Sequence, residues 1–295
     1  MTGEAFHIPV MANEVLEHLN LSPAMTVVDC TAGCGGHAGL IASRLGEKGF
    51  LIAIDRDRNS LETARGNLKN VKPRLEFVHQ DFRNIDKVMK AAGISRVDAM
   101  LFDLGISSFQ LDNPERGFSL KSQGPLDMRM NQEDLMSAAD LINSLSEKEI
   151  AMILRDYGDE RWHYRIARRI VEKRPIQSTQ QLADIVLQAL PKGRAWQKIH
   201  PATRTFQAFR IAVNRELEAV EEALEKSIGF LVPGARLCVI AFHSLEDRIV
   251  KNKFRNWAKS EQVNLITKKP LQPGEDEING NPRARSARLR VAEKI

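Results

Sequence analysis

Short apolar runs alternate with amphipathic stretches over the first hundred residues. Four runs rich in Val, Ile, Leu and Phe predict buried strands at residues 26–30, 50–55, 75–79 and 97–103. Between them lie three stretches with apolar side chains three and four positions apart, which is typical of helices: residues 35–46, 58–70 and 83–93. Strands that alternate with helices in this way predict βαβ units and a parallel sheet covered on both faces.

The pattern changes after residue 110. Helical periodicity dominates residues 111–213, and a long amphipathic stretch at 203–227 predicts one continuous helix. Three further strands are predicted at residues 236–242, 263–268 and 287–294. We therefore predict an α/β fold, with a Rossmann-like, seven-stranded, mostly parallel sheet built from residues 1–110 and 216–295. An inserted all-helical domain would occupy residues 111–215.

The composition is that of an ordinary globular protein, with 43% hydrophobic and 27% charged residues among 295. The N-terminus has no basic segment followed by an apolar run, and no stretch reaches the roughly 18–20 apolar residues of a membrane span. The three cysteines show no framework spacing, which favours reduced thiols. We therefore expect a cytoplasmic protein without a membrane anchor.

The positive charge is concentrated in one block. Residues 161–215 contain twelve Lys or Arg against two acids, a local net charge of 12 − 2 = +10, whereas the whole chain carries +5. Five aromatic side chains are interleaved with these charges: Trp162, Tyr164, Trp196, Phe206 and Phe209. A solvated helical face would explain many such runs, but this imbalance favours a polyanionic partner, and nucleic acid in particular.

A glycine loop follows the first strand in the stretch DCTAGCGGHAG, residues 29–39. The segment from Gly33 to Ala38 fits the pattern G-x-G-x-x-G/A and opens a predicted helix, an arrangement that lets a backbone approach a nucleotide closely. Asp55 ends the second strand, 20 residues beyond Gly35, where a carboxylate accepts from ribose hydroxyl groups. The loop therefore predicts a nucleotide-type cofactor.

This geometry suits NAD and S-adenosylmethionine (SAM) alike, and two features favour SAM. Asp29 immediately precedes the loop, where it would attract an ammonium group but repel a pyrophosphate. Asp81 and Phe82 follow the third strand and offer an acceptor and an aromatic face to an adenine. A P-loop is excluded because no G-K-[ST] follows the glycines.

A metal site is the competing interpretation of the same loop, because Cys30, Cys34 and His37 lie close together in sequence. Zinc needs three or four converging ligands, and no paired C-x-x-C occurs elsewhere in the chain. Cys238 falls inside a predicted buried strand and reads as a small core residue. We expect no metal.

The stretch LFDLGISSFQLDNPERGFSLKSQGPLDMRM at residues 101–130 resembles the signature of the RsmH (MraW) family of rRNA cytosine-N-methyltransferases. Further matching blocks are HIPVMANEVL (7–16), HPATRTFQAFRIAVNREL (200–217), AFHSLEDRIVK (241–251) and NPRARSARLR (281–290). The glycine loop departs from the family pattern in two places, with Cys30 for glycine and Ala38 for serine. Cysteine would be strained there if its φ were positive.

The resemblance implies a class I SAM-dependent methyltransferase that modifies the exocyclic N4 amino group of a cytidine in the decoding region of small-subunit (16S) rRNA. It also implies contact with the small ribosomal subunit, and it leaves open whether the protein is a monomer or a homodimer. The cofactor contacts of the family fall on seven positions: Gly35, Gly36, His37, Asp55, Phe82, Asp103 and Gln110.

Several roles stay open at this stage. Asp103 follows the fourth strand and is expected to anchor the cofactor, to accept from the target amine, or both, whereas His37 either contacts the cofactor or fills space. His243 follows the fifth strand and either contacts the target base or caps the next helix. Five arginines are predicted to bind RNA phosphates: Arg165, Arg168, Arg169, Arg204 and Arg210. The alternatives are a non-catalytic RNA-binding assembly factor and an NAD-linked oxidoreductase.

Overall fold

The computed structural model describes residues 9–191 and 200–295. The chain divides into two compact units. The sheet unit comprises Met1–Gly105 and Leu217–Ile295, and the helical unit comprises Ile106–Glu216. The first predicted domain limit fell after residue 110, inside a short helix, whereas the helical unit begins directly after Gly105, which has a φ of +102°.

Seven strands form one sheet, as the apolar runs predicted. They are β1 (Thr26–Asp29), β2 (Phe50–Asp55), β3 (Arg74–His79), β4 (Val97–Asp103), β5 (Leu231–Ala241), β6 (Val263–Leu265) and β7 (Arg288–Lys294). Their order across the sheet is β3-β2-β1-β4-β5-β7-β6. The first five strands run parallel, and β7 is antiparallel to both β5 and β6.

Helices cover both faces of this sheet. The helices that precede β4 are α1 (Ala12–Leu19), α2 (Gly36–Arg44), α3 (Arg58–Asn67) and α4 (Ile85–Ala91). Val27 and Val28 are neighbours in β1 and point to opposite faces, and each belongs to a different buried apolar cluster. Val15 of α1 and Ile41 of α2 belong to the same cluster as Val27, and Val88 of α4 belongs to the same cluster as Val28.

The helical unit contains six helices among its described residues, and they share one apolar core. They are α5 (Ser108–Asp112), α6 (Ala138–Ser144), α7 (Glu147–Gly158), α8 (His163–Glu172), α9 (Thr179–Ala189) and α10 (Thr203–Asn214). Serine begins four of them through a capping box, at Ser107, Ser137, Ser146 and Ser178, in which the side chain accepts from a backbone N–H three residues on.

Three helices follow: α11 (Glu216–Ser227), α12 (Ser244–Lys259) and α13 (Glu275–Gly280). The prediction of one continuous helix over 203–227 is therefore wrong. Arg215 adopts a left-handed conformation with a φ of 49° and ends α10, and α11 begins at the next residue. Asn214 is buried at this point, and its side chain bonds the backbone of Met128 and Met130 at 2.8 Å each, which fixes the end of α10.

The start of β5 also differs from the prediction. The strand begins at Leu231 rather than at 236, because Leu231 already pairs with Val97 of β4, and Pro233 and Gly234 lie in the irregularity between this pair and the next one, Ala99 with Arg236. Such an irregularity accommodates a proline and a glycine that would otherwise signal the end of a strand. No helix among the described residues combines the length and the apolar character needed to cross a membrane.

Candidate active site at the carboxyl edge of the sheet

Three aspartates lie where adjacent parallel strands end. Asp29 ends β1, Asp55 ends β2 and Asp103 ends β4. β1 lies between the other two strands, and Asp29 is level with Ala53 of β2 and Leu101 of β4. The order of strands reverses between β1 and β4, and ligands of open α/β sheets bind at such a reversal. The register therefore brings the predicted site residues of three strands to one edge.

The glycine loop after β1 is held by Asp55. The Gly33 N–H donates to Asp55 Oδ2 at 2.7 Å, and the Asp57 N–H donates to Oδ1 at 2.8 Å. Gly33 and Gly35 have φ values of 52° and 93°, which explains why glycine stands at both positions. Burial raises the pKa of Asp55 to about 6, against the lowering effect of these two N–H groups.

Cys30 of the glycine loop and Cys238 of β5 are both buried. Cys30 is not among the residues with positive φ, its N–H donates to the Leu101 carbonyl at 2.9 Å, and its side chain is buried. The departure from glycine is therefore accommodated without backbone strain. Burial raises the pKa of the Cys30 thiol well above its usual range and that of Cys238, in the middle of β5, to about 12. Protonated thiols are poor metal ligands.

His37 links the loop helix to β4 and to the N-terminal segment. Its Nδ1 lies 3.3 Å from Asp103 Oδ2, and its Nε2 lies 2.9 Å from the Val10 carbonyl oxygen. The ring is 5% exposed. Burial alone would lower the pKa of His37, but the hydrogen bond and charge of Asp103, the charge of Asp29 and the Val10 carbonyl together raise it. His37 therefore has partners on both ring nitrogens.

Two carboxylate oxygens at this edge are buried and have no partner among the described residues: Asp29 Oδ2 and Asp103 Oδ1. Asp29 Oδ1 accepts from the Thr31 N–H at 3.1 Å. Burial raises the pKa of Asp29 to about 7, partly offset by the nearby His37. Buried polar atoms are normally bonded, so two unpartnered acceptors at one edge are consistent with a bound cationic or hydrogen-donating ligand.

Sequence reasoning missed three contributors to this edge. Thr31 Oγ1 accepts from the Asp103 N–H at 2.6 Å and thereby ties the loop to β4. Val10 holds His37 through its carbonyl, and the Met11 N–H donates to Glu277 Oε1 at 2.7 Å. Backbone carbonyls leave no mark in the sequence, and Glu277 lies 266 positions from Met11.

The predicted adenine contacts lie beyond β3. Phe82 is half-buried and meets Phe102 edge to face, with ring centroids 5.7 Å apart. Asp81 accepts from the Arg83 N–H at 2.9 Å and lies within 3.5 Å of the Arg56 and Arg83 guanidinium groups. Because these groups already compensate Asp81, Phe82 is the stronger candidate for a contact with a base.

His243 caps α12. Its side chain accepts from the Glu246 N–H at 3.4 Å, and its Nε2 lies 3.1 Å from Glu246 Oε1. The capping interpretation is confirmed, while contact with a target base stays a prediction. Asp247 lies in the first turn of α12, and its carboxylate bonds Arg290 at 2.6 and 3.1 Å, inside the sheet unit.

Gln110 belongs to the helical unit. It is buried in α5, where it forms a capping box with Ser107 over 3.2 Å in both directions. Its predicted contact with the cofactor stays a prediction. In the same unit, Asp127 and Arg129 form a bidentate pair at 2.7–2.8 Å and stabilise the loop that carries them.

The basic face of the helical unit is only partly as predicted. Arg165 and Arg168 of α8 are exposed, Arg169 is half-buried beside Glu172, and Arg204 of α10 is exposed. Arg210 does not fit a phosphate contact, because its guanidinium forms two bonds of 2.8–2.9 Å with Glu216 and is 15% exposed.

The aromatic residues of the basic block divide in the same way. Phe206 and Phe209 are buried in the core of the helical unit, so they are not available for stacking on bases. Tyr164 is 61% exposed, and Trp162 lies under the guanidinium groups of Arg161 and Arg165. Trp196 lies outside the described residues.

The strand order, the glycine loop after β1 and the carboxylate at the end of β2 define a class I SAM-dependent methyltransferase fold. The sequence pattern of the MraW methylase family matches residues 4–295, and the chain belongs to that family.

Two curated proteins, each named ribosomal RNA small subunit methyltransferase H, are similar to it. The one from Clostridioides difficile is 44% identical over 99% of this chain and 100% of its own length. The one from Cyanothece is 48% identical over 99% of this chain and 96% of its own length. A solved structure, described as a putative rRNA-methylase from Clostridium thermocellum, covers 98% of this chain and 99% of its own at 15% identity and a TM-score of 0.48.

Proposed function

We propose that this protein transfers a methyl group from SAM to the N4 amino group of a cytidine in the decoding region of small-subunit rRNA. The observation that carries the proposal is a pair of buried carboxylate oxygens beside the glycine loop, Asp29 Oδ2 and Asp103 Oδ1, which have no partner in the described part of the chain. Membership of a methylase family and relatives named for small-subunit rRNA support the substrate class.

The residues present suit the proposed cofactor. The buried acceptors Asp29 and Asp103 favour a ligand that brings ammonium donors and positive charge, whereas they would repel a pyrophosphate. Asp55 stands at the end of β2 for ribose hydroxyl groups, and Phe82 offers an aromatic face. Gly35, Gly36 and His37 would contribute the loop contacts. When bound, SAM supplies an electrophilic methyl group on a positively charged sulfur.

The residues of the protein contribute to the reaction by aligning the target amine and by accepting its proton. An exocyclic amine of cytosine is a weak nucleophile, because its lone pair is delocalised into the ring. An acceptor for its proton and fixed alignment therefore lower the barrier. Asp103 is held by the Thr31 hydroxyl at its N–H and by His37 at Oδ2, which leaves Oδ1 as the acceptor. We assign Asp103 mainly to anchoring the cofactor, with Oδ1 also serving as an acceptor for the target amine, and we assign His243 to contact with the target base.

The helical unit supplies a surface for the RNA backbone. Arg165 and Arg168 lie three residues apart on α8, are exposed and share a side of the helix. Arg204 adds a third exposed guanidinium. Contacts of this kind position RNA without reading its sequence. A small-subunit rRNA substrate implies a cytoplasmic location and contact with the small ribosomal subunit.

The deciding experiment uses small subunits purified from a strain that lacks this protein. They are incubated with methyl-labelled SAM and the full-length chain, and the rRNA is digested and mapped by mass spectrometry. We expect label at one cytidine as the N4-methyl nucleoside. An Asp103→Asn variant should lose the transfer, whereas Asp98→Asn should keep it, because Asp98 bonds Thr26 at the amino end of β1. Binding of RNA without transfer would indicate an assembly factor, and tight binding of NAD without SAM an oxidoreductase.

A further inference from the structure

One helix of the sheet unit carries a row of basic side chains. Arg248, Lys251, Arg255 and Lys259 of α12 are separated by three, four and four residues, a spacing that puts them on one side of the helix. We call these four residues the α12 stripe. They extend over roughly 16 Å of helix axis, at about 1.5 Å per residue.

The stripe faces away from the core. Val250, Phe254 and Trp257 form the opposite side of α12 and are at most 5% exposed. Arg248, Arg255 and Lys259 are exposed, and Lys251 is half-exposed. The stripe is therefore a surface feature rather than part of the packing of α12 on the sheet.

The stripe also has no acidic partner among residues 9–191 and 200–295. None of its four members makes an ion pair or a hydrogen bond with the part of the chain that is described, although other cations of the sheet unit do. Lys226 pairs with Asp86 at 2.9 Å, and Arg236 pairs with Glu293 at 2.8 Å. On α12 itself, Lys253 pairs with Glu225. Four neighbouring uncompensated charges raise the local positive potential and favour an anionic partner.

The position of α12 connects this surface to the chemistry. Ile240 near the end of β5 is level with Asp103 of β4, and α12 begins four residues later, at Ser244. The stripe therefore starts beside the carboxyl edge at which the candidate active site lies. RNA on either side of a base delivered to that edge must pass the surface of the sheet unit next to it.

We propose that the α12 stripe is a second rRNA contact, made by the methyltransferase fold itself, and that it binds the phosphate backbone next to the target nucleotide. The proposal rests on the proposed function for the identity of the RNA. Phosphates fit the observations better than an acidic protein surface would, since charges in a regular row with no apolar residue among them match a repeating anionic backbone.

The test measures the salt dependence of binding to an in vitro transcript of small-subunit rRNA. Binding of the full-length protein is compared with that of an Arg248→Gln, Lys251→Gln, Arg255→Gln variant. At about 0.7 per phosphate contact on a single strand, losing three contacts lowers the slope of log K against log salt by about 2. Between 50 and 200 mM salt, the wild type should then lose about 20-fold more affinity than the variant.

Two controls isolate the stripe. An Arg44→Gln, Lys48→Gln, Lys90→Gln variant has the same change in net charge, but Arg44 and Lys90 lie in the last turns of α2 and α4, away from the carboxyl edge. Its slope should stay that of the wild type. The paired exchange Arg248→Lys with Arg255→Lys keeps the charges and should keep the slope as well.

A wild-type slope in the triple variant overturns the proposal, and so does an equal loss in the net-charge control. If the triple variant binds the naked transcript normally but binds intact subunits weakly, the partner is a ribosomal protein and the proposal is also wrong. Methyl transfer by the wild type is scored separately. If the wild type transfers no methyl group to rRNA, the proposed function is wrong. If the wild type transfers it but the triple variant keeps the wild-type slope, only the proposed α12 contact is wrong.

Discussion

His37 Nδ1 lies 3.3 Å from Asp103 Oδ2, while Nε2 of the same ring lies 2.9 Å from the Val10 carbonyl oxygen. A carbonyl oxygen only accepts, so Nε2 carries a proton, and a second proton on Nδ1 makes the contact with Asp103 a charge-assisted hydrogen bond. This pair fixes the orientation of the carboxylate that ends β4.

The raised pKa of His37 makes this contact depend on pH. The stabilisation from this contact is complete below the pKa of His37 in the unfolded chain, about 6.5. It is lost as the pH rises through the higher pKa of His37 in the folded protein. We expect His37→Gln to lower the free energy of unfolding by about 1–3 kcal/mol at pH 6, the range for hydrogen bonds to charged groups, and by less at pH 9. Urea unfolding at several pH values measures this, and a pH-independent difference would contradict it.

Asp29→Asn should stabilise the protein at alkaline pH. The pKa of Asp29 is raised to about 7 chiefly by burial, so the folded state holds a proton that the unfolded state releases above about pH 4. Stability therefore falls between about pH 4 and 7, and the full cost of the buried charge is present above pH 7. At pH 8 the variant should gain on the order of 2–4 kcal/mol, with no gain at pH 4. Asp98→Asn serves as the control, and equal gains in both variants would refute the argument.

Asp55→Ala should weaken binding of SAM about 10- to 100-fold while leaving RNA affinity unchanged. The substitution removes the predicted ribose acceptor, the bond from the Gly33 N–H that holds the glycine loop, and the bond from the Asp57 N–H in the turn after β2. Titration calorimetry measures the first quantity and filter binding the second. Asp57→Ala is the matched control, since it removes the cap of α3. It should cost about 1 kcal/mol of stability without a comparable loss of affinity for SAM.

Charge reversal at Arg165 and Arg168 should have the opposite effect. Two lost phosphate contacts reduce RNA affinity about tenfold or more at 0.1 M salt, whereas SAM affinity should not change. Arg155→Glu on α7 is the control, because Arg155 is exposed but already paired with Asp156 at 2.7 Å. If the double variant lost its affinity for SAM and kept its affinity for RNA, the assignment of SAM binding to the sheet unit and of RNA binding to the helical unit would be wrong.

Arg210→Ala should affect stability rather than RNA binding. The guanidinium is largely buried against Glu216, and removing it leaves a carboxylate that is 7% exposed without its partner. We expect a loss of about 2–4 kcal/mol in the free energy of unfolding. Replacing both residues, as Arg210→Met with Glu216→Leu, should recover most of it. An RNA defect in Arg210→Ala at unchanged stability would restore the phosphate role.

The sequence by itself determined the sheet, because strands buried on both faces must be continuously apolar and the helices between them must be amphipathic. It also indicated the glycine loop and Asp55, since left-handed backbone and a carboxylate at the end of a strand require particular residue types. Only the tertiary structure decided which charges are compensated. Arg210 and Arg165 look alike in sequence, but Glu216 neutralises the first, and α8 exposes the second.

Long-range contacts account for the rest. The Val10 carbonyl, the Thr31 hydroxyl and the Glu277 carboxylate all support the carboxyl edge, yet their partners are 27, 72 and 266 positions away. Periodicity reports on neighbours three or four residues apart and carries no information about such pairs. The same limit concealed the break at Arg215, where the helical pattern continues through a residue whose φ is positive.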